Sequence, residues 1–221
     1  MKKKCIVLAI LVCFAVSAMA QSSKREDFWG FGLGMQSGNF DKINTLLQNE
    51  NLPTISNFAF PSFSFFWGTQ NGRFLNIVDG GVATQRNRQN NFTTSTMIGG
   101  FKVLLGYDVV AKEKLSLYPL LGIGFGNASI NIAQQTNPAS INAYLASSPT
   151  EKTLYYSGSL AVGLGLGANY KFERATIGFL TGYNYPVGQG RWRVEGQRLD
   201  DKLRTVTEGF YFKIFFASLY D

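Results

Sequence analysis

Histidine is absent from all 221 residues, and cysteine occurs only twice, at Cys5 and Cys13. Without histidine there is no Ser-His-Asp or Cys-His nucleophilic machinery, and the usual zinc and iron ligand sets cannot be assembled. No catalytic residue, metal site or cofactor is therefore expected, and the chain reads as a non-enzyme. Long apolar runs are missing too: beyond residue 20 nothing approaches the roughly 18 apolar residues that a membrane helix needs. A chain of this kind that crosses a membrane must do so with strands. Basic runs are also scarce. The formal charge of +7 includes Lys2, Lys3 and Lys4; without them 18 basic residues face 14 acidic ones, so no nucleic-acid partner is expected.

Lys2 to Lys4, the apolar segment Ile6 to Val16 and the small residues Ala18-Met19-Ala20 before Gln21 form the three regions of a secretory signal peptide. Residues 1–20 are accordingly expected to be cleaved, leaving 21–221 as one domain. Both cysteines would leave with the signal, so the remainder can form no disulfide.

The most informative stretch runs from Leu154 to Phe172. Leu154, Tyr156, Gly158, Leu160, Val162, Leu164, Leu166, Ala168, Tyr170 and Phe172 fall on one face when alternate residues are read. Tyr155, Ser157, Ser159, Ala161, Gly163, Gly165, Gly167, Asn169 and Lys171 fall on the other. Period-two alternation is a strand signal, and a soluble strand is usually about 5–6 residues long. Bulky aliphatics in the middle, aromatics at both ends and small residues opposite fit a strand between lipid and a narrow barrel interior.

Seven further segments behave similarly, giving strands near 26–36, 57–69, 72–85, 93–110, 114–132, 153–172, 174–187 and 206–220. Tight turns at 70–71, 111–113 and 173–174 alternate with longer polar loops at 37–56, 86–92, 133–152 and 188–205. The expected fold is all-β: an eight-stranded antiparallel transmembrane barrel with short periplasmic turns and longer extracellular loops. The third strand chooses no face over Phe74 to Asp79, so a bulge is expected there. Pro119 lies deep in the fifth strand and suggests a bulge or a shortened strand. Outward aromatics should form two girdles, with Trp29, Trp67, Tyr107, Tyr170, Phe172 and Tyr220 at the short-turn end. Tyr156, Tyr183, Tyr185 and Phe210 would form the other girdle.

Lys102, Lys171 and Lys213 fall on inward faces together with Asp108, Tyr155, Asn169 and Tyr211. They could attract anions, but an eight-stranded barrel is just wide enough for its own side chains, so a self-satisfying polar plug is the simpler expectation. The other carboxylates, Asp79 included, read as solvated loop charge. Gly163-Leu-Gly165-Leu-Gly167 and Gly122-Ile-Gly124-Phe-Gly126 lie inside strands, so they relieve crowding rather than cradle phosphate. In the first loop Phe40, Ile43 and Leu47 stand at helical spacing behind Asn39, a candidate cap, and predict a short helix over the barrel mouth. In the last loop Arg191, Trp192, Arg193, Arg198, Lys202 and Arg204 form a basic-aromatic cluster that either suits phosphate oxygens or is neutralised by Glu195, Asp200 and Asp201 nearby.

The signal segment, the girdled strands, the alternation of short turns and long loops, and the aromatic last strand Phe210-Tyr211-Phe212-Lys213-Ile214-Phe215-Phe216 resemble the small outer-membrane β-barrel family typified by OmpX and the OmpA barrel. The resemblance covers the mature chain and implies a bacterial outer-membrane location and insertion by the barrel-assembly machinery. One departure is the end, Leu219-Tyr220-Asp221, where the family commonly closes on an aromatic. Enzymatic barrels of this size rely on histidine, which this chain lacks. The expected role is structural or surface-interacting, through loops that touch lipopolysaccharide or an extracellular macromolecule. Two alternatives are a narrow passive pore and a soluble lipocalin-like barrel around an apolar ligand.

Overall fold

Among the described residues strand follows strand, with a single helix, which lies between the first two. The computed structural model describes residues 25–58, 60–110, 112–135, 151–187, 190–194, 197–198 and 208–220. The expected signal segment lies outside them. The strands are β1 (Arg25–Gln36), β2 (Phe60–Asn71), β3 (Phe74–Gln89), β4 (Phe92–Tyr107), β5 (Leu115–Gln134), β6 (Glu151–Lys171), β7 (Ala175–Pro186), two short strands β8 (Arg191–Val194) and β9 (Gln197–Arg198), and β10 (Gly209–Tyr220). Helix α1 (Asp41–Asn49) sits between β1 and β2. All pairings are antiparallel. β1 to β6 follow in order, β7 joins β6 to β10, and β10 pairs back onto β1. Eight strands thus close into a barrel, and closure gives each spanning strand two partners, as a chain in lipid requires.

The outside of this barrel is apolar. Leu33, Phe65, Phe101, Leu121, Leu164 and Ile214 all stand exposed on it. Trp29, Trp67, Tyr107, Tyr170, Phe172 and Tyr220 ring the short-turn end, where Trp67 Nε1 donates to the Tyr220 hydroxyl at 3.0 Å. Tyr185 and Phe210 mark the other boundary. A lipocalin-like barrel needs the reverse on this surface, a polar exterior. Among the described residues no helix is long and apolar enough to cross a membrane.

The loop expected at 86–92 is a continuation of β3 and β4, paired from Arg86–Ser95 to Gln89–Phe92. It closes on Asn90 and Asn91 at φ 50° and 65°, the left-handed pair of a tight hairpin turn, which asparagine tolerates. β3 keeps unbroken register with both neighbours and turns Leu75, Ile77 and Asp79 inward. β5 runs for 20 residues, and its pairing with β6 passes through Pro119–Leu166 without a break.

The irregularity lies higher, between β5 and β6. Gly126 pairs with Ser159, but Ala128 pairs with Tyr156. β6 therefore carries one extra residue, and every side chain above that point changes face. Gly158 adopts φ +29°, and a Cβ there would fall 1.6 Å from the Phe125 ring. Above the bulge Tyr156 turns inward and is fully buried, while Tyr155 is 44% exposed. The expectations for both tyrosines are reversed: Tyr156 leaves the girdle, and Tyr155 leaves the lumen.

Candidate functional site

The lumen is built in layers. Nearest the short turns, Phe28, Phe66, Leu75, Leu104, Tyr118, Leu180 and Phe215 interlock as an apolar cluster. The Phe66 and Phe215 rings meet edge to face at 5.2 Å. Below this cluster Lys171 Nζ donates to Glu26 at 2.7 Å and to Gln70 at 2.9 Å. Asn169 donates to the Thr176 hydroxyl at 2.9 Å. Asp108 is buried where β4 turns into β5, and its Oδ1 accepts the backbone N–H groups of Val110 and Leu117 at 3.1 and 3.2 Å. This is a turn-forming role.

The middle layer is ionic. Lys213 Nζ donates to both oxygens of Asp79, at 2.9 and 2.6 Å. Lys102 Nζ lies 3.8 Å from Asp79 Oδ2 and 3.4 Å from the centre of the Tyr211 ring. Asp79 is 2% exposed and is no loop charge. Its segment of β3 shows no clear face in the sequence, although its cross-strand position opposite Lys102 carries the signal. Of the seven inward polar residues expected, Tyr155 faces out, while Lys102, Tyr211 and Lys213 meet. Asp108, Asn169 and Lys171 belong to the short-turn end.

A second apolar cluster fills the long-loop end. Phe40, Ile43 and Leu47 point down from the loop and helix onto Ile55, Phe60, Ile98, Ile130, Tyr156 and Trp192. Phe40 itself is the N-cap of α1 and has no side-chain cap bond; Asn39 Oδ1 accepts from Asp41 N at 3.4 Å. The tether comes from Asn44, which donates to the Ile55 carbonyl at 2.7 Å and accepts the Ile55 N–H at 2.8 Å. The sequence reading puts Trp192 in an exposed binding cluster. It is instead fully buried, 5.1 Å from Tyr156 ring to ring. Alternation explains this: β8 pairs with β6 above the bulge, Tyr156 opposite Trp192, and both face in. Arg191 and Arg193, on either side, face out, and Arg198 pairs with Arg193 across β8 and β9. Lys202 and Arg204 lie outside the described residues.

Residues 6–210 match the family described as outer membrane protein beta-barrel domain. The chain belongs to that outer-membrane β-barrel family. Its short turns therefore face the periplasm and its long loops the cell exterior, and its location is the bacterial outer membrane. A major outer membrane protein from Thermus thermophilus superposes with TM-score 0.58 at 10% identity, over 89% of this chain and 100% of that one. This likeness shows the fold alone. Neisserial surface protein A gives 0.46 at 12% identity, over 88% and 94% of the two chains. Ail of Yersinia pestis gives 0.43 at 14%, over 90% and 99%. No curated protein matches the chain.

Two apolar clusters lie on either side of the charged layer among the described residues. Planar bilayers containing the folded protein are expected to carry no stable single-channel current. Large, long-lived conductance steps would mean that the clusters open.

Proposed function

We propose that this outer-membrane barrel is a non-enzymatic anchor whose extracellular wall engages phosphate groups of lipopolysaccharide. The observation that carries the proposal is the placement of its outward arginines. β3, β4, β5, β6 and β8 continue above the apolar belt as a paired wall, and Arg86, Arg88, Arg191 and Arg193 are exposed on it. Tyr155 stands directly opposite Arg193, and Arg193 directly opposite Arg198. Like charges facing each other across strands are unfavourable, unless an anion lies between them. Arginine forks suit phosphate oxygens, and the height of this row, just above the belt, is that of outer-leaflet headgroups.

The test is the pair of substitutions Arg191→Glu and Arg193→Glu, which reverse charge while leaving the lumen untouched. Folded protein in detergent should bind lipopolysaccharide in a salt-sensitive manner, because exposed charges are screened within about 8 Å at physiological ionic strength. The variant should bind at least about tenfold more weakly, the equivalent of about 1.4 kcal/mol, and dephosphorylated lipopolysaccharide should bind both proteins alike. Equal binding of phosphorylated lipopolysaccharide by both proteins at low salt would remove the proposal.

A further inference from the structure

The ionic layer does not balance. Lys102 and Lys213 are two cations, and among the described residues Asp79 is the one carboxylate facing them. Lys213 takes both Asp79 oxygens at hydrogen-bonding distance. Lys102 receives only a 3.8 Å contact and the face of Tyr211. No hydrogen-bond acceptor among the described residues meets its ammonium. A buried charge held only by a long ion-pair contact and a ring face is costly unless something further compensates it.

Beside this charge the lumen is hollow. A cavity of about 70 Å³ is lined by Lys102, Lys213, Asp79, Ser62, Asn184 and Gln36. It exists because the wall around Lys102 and Asp79 is nearly devoid of other side chains: Gly81, Gly100 and Gly126 follow one another across β3, β4 and β5, with Gly122 and Gly163 paired below. Ser62 Oγ is buried there and has no partner among the described residues. Its hydroxyl is a donor free to turn into the space. Gln36 and Ser37 extend the lining to the extracellular end of β1.

We propose that this cavity binds one small monovalent inorganic anion of the halide class, with Lys102 Nζ as its principal partner and Ser62 Oγ as a second donor. The anion brings the layer to neutrality. The room for solvent centres is about 70 Å³, against roughly 10–15 Å³ for one water on the same measure, so a small ion fits together with several waters. The site faces inward, beneath the extracellular cluster, and is independent of the arginine wall.

The experiment compares thermal unfolding midpoints of the detergent-folded protein in sodium chloride and in sodium gluconate at equal ionic strength, gluconate being a much bulkier anion. Chloride at ten times its dissociation constant should raise the midpoint by about 3–6 °C over gluconate, and the rise should saturate. Lys102→Met should abolish the difference, and Ser62→Ala should weaken it. Crystals soaked in bromide should give an anomalous peak within hydrogen-bonding reach of Lys102 Nζ, a readout that needs no variant to fold. Equal midpoints in the two salts, an undiminished chloride response in Lys102→Met, or a cavity holding water alone after the bromide soak would each overturn the site.

Discussion

Asp79→Asn is expected to destabilise the folded barrel by about 3–5 kcal/mol, because removing one member of a buried ion pair strands its partner. Here the loss strands two partners. Lys213 loses both of its carboxylate contacts, at 2.9 and 2.6 Å, and Lys102 loses its neighbour at 3.8 Å. Asparagine keeps the shape and one acceptor, so the effect reports charge rather than volume. Adding Lys213→Met to Asp79→Asn should restore part of the stability, since it removes one of the two stranded ammonium groups and leaves Lys102. Urea unfolding in phospholipid vesicles, followed by tryptophan fluorescence, measures all three proteins. If Asp79→Asn unfolds within about 1 kcal/mol of the parent, well short of the usual cost of a broken buried pair, the layer is not structurally important. If the double variant is no better than the single, the cost comes from lost hydrogen bonds and not from stranded charge.

The barrel can be read from the sequence because its signal repeats. Lipid imposes one requirement on every outward position, and Trp29 to Met35 or Phe210 to Phe216 each state it within a single strand. The spacing of turns then orders the strands. Legibility ends where one residue changes the phase. Leu154 to Phe172 reads as one uninterrupted alternation, yet the extra residue beside Gly158 reverses everything above it. Nothing in the local pattern reveals this, because Tyr155 and Tyr156 are adjacent and chemically equivalent; only the partner strand decides which one goes inside. That reversal carries over to the candidate site, through the pairing of Tyr156 with Trp192. The cluster expected from residues 191–204 therefore divides into a buried aromatic and exposed arginines. Asp79 is hidden differently. A carboxylate flanked by Val78 and Gly80 has no visible partner until β4 supplies Lys102 and β10 supplies Lys213. Asn90-Asn91 reads as part of a polar loop, although two residues able to adopt left-handed backbone are also what a tight hairpin turn requires.

Trp192→Ala should remove about 3–5 kcal/mol from the extracellular half of the molecule, the usual effect of deleting a large buried aromatic. Trp192 is fully buried and packs on Tyr156. The Tyr156 hydroxyl in turn accepts the Gly190 N–H at 2.8 Å. Losing the indole therefore loosens the junction between β7 and β8 as well as the lid of α1 above it. The damage should be local, because the periplasmic cluster around Phe66, Tyr118 and Phe215 shares no residue with the extracellular one. Proteins open in cooperative pieces of unequal stability, and these two clusters are natural pieces. Hydrogen exchange should accelerate at Ile43, Leu47 and Ile55 while Leu104 and Leu180 stay protected, and the lumen should stay closed to current. Trp192→Phe should behave differently: the indole N–H finds no acceptor among the described residues, so its loss removes a buried unsatisfied donor. The smaller ring should keep most of the protection. Uniform acceleration across both clusters in Trp192→Ala would show that the barrel opens as one unit, and an equal effect in Trp192→Phe would show that indole volume alone holds the cap.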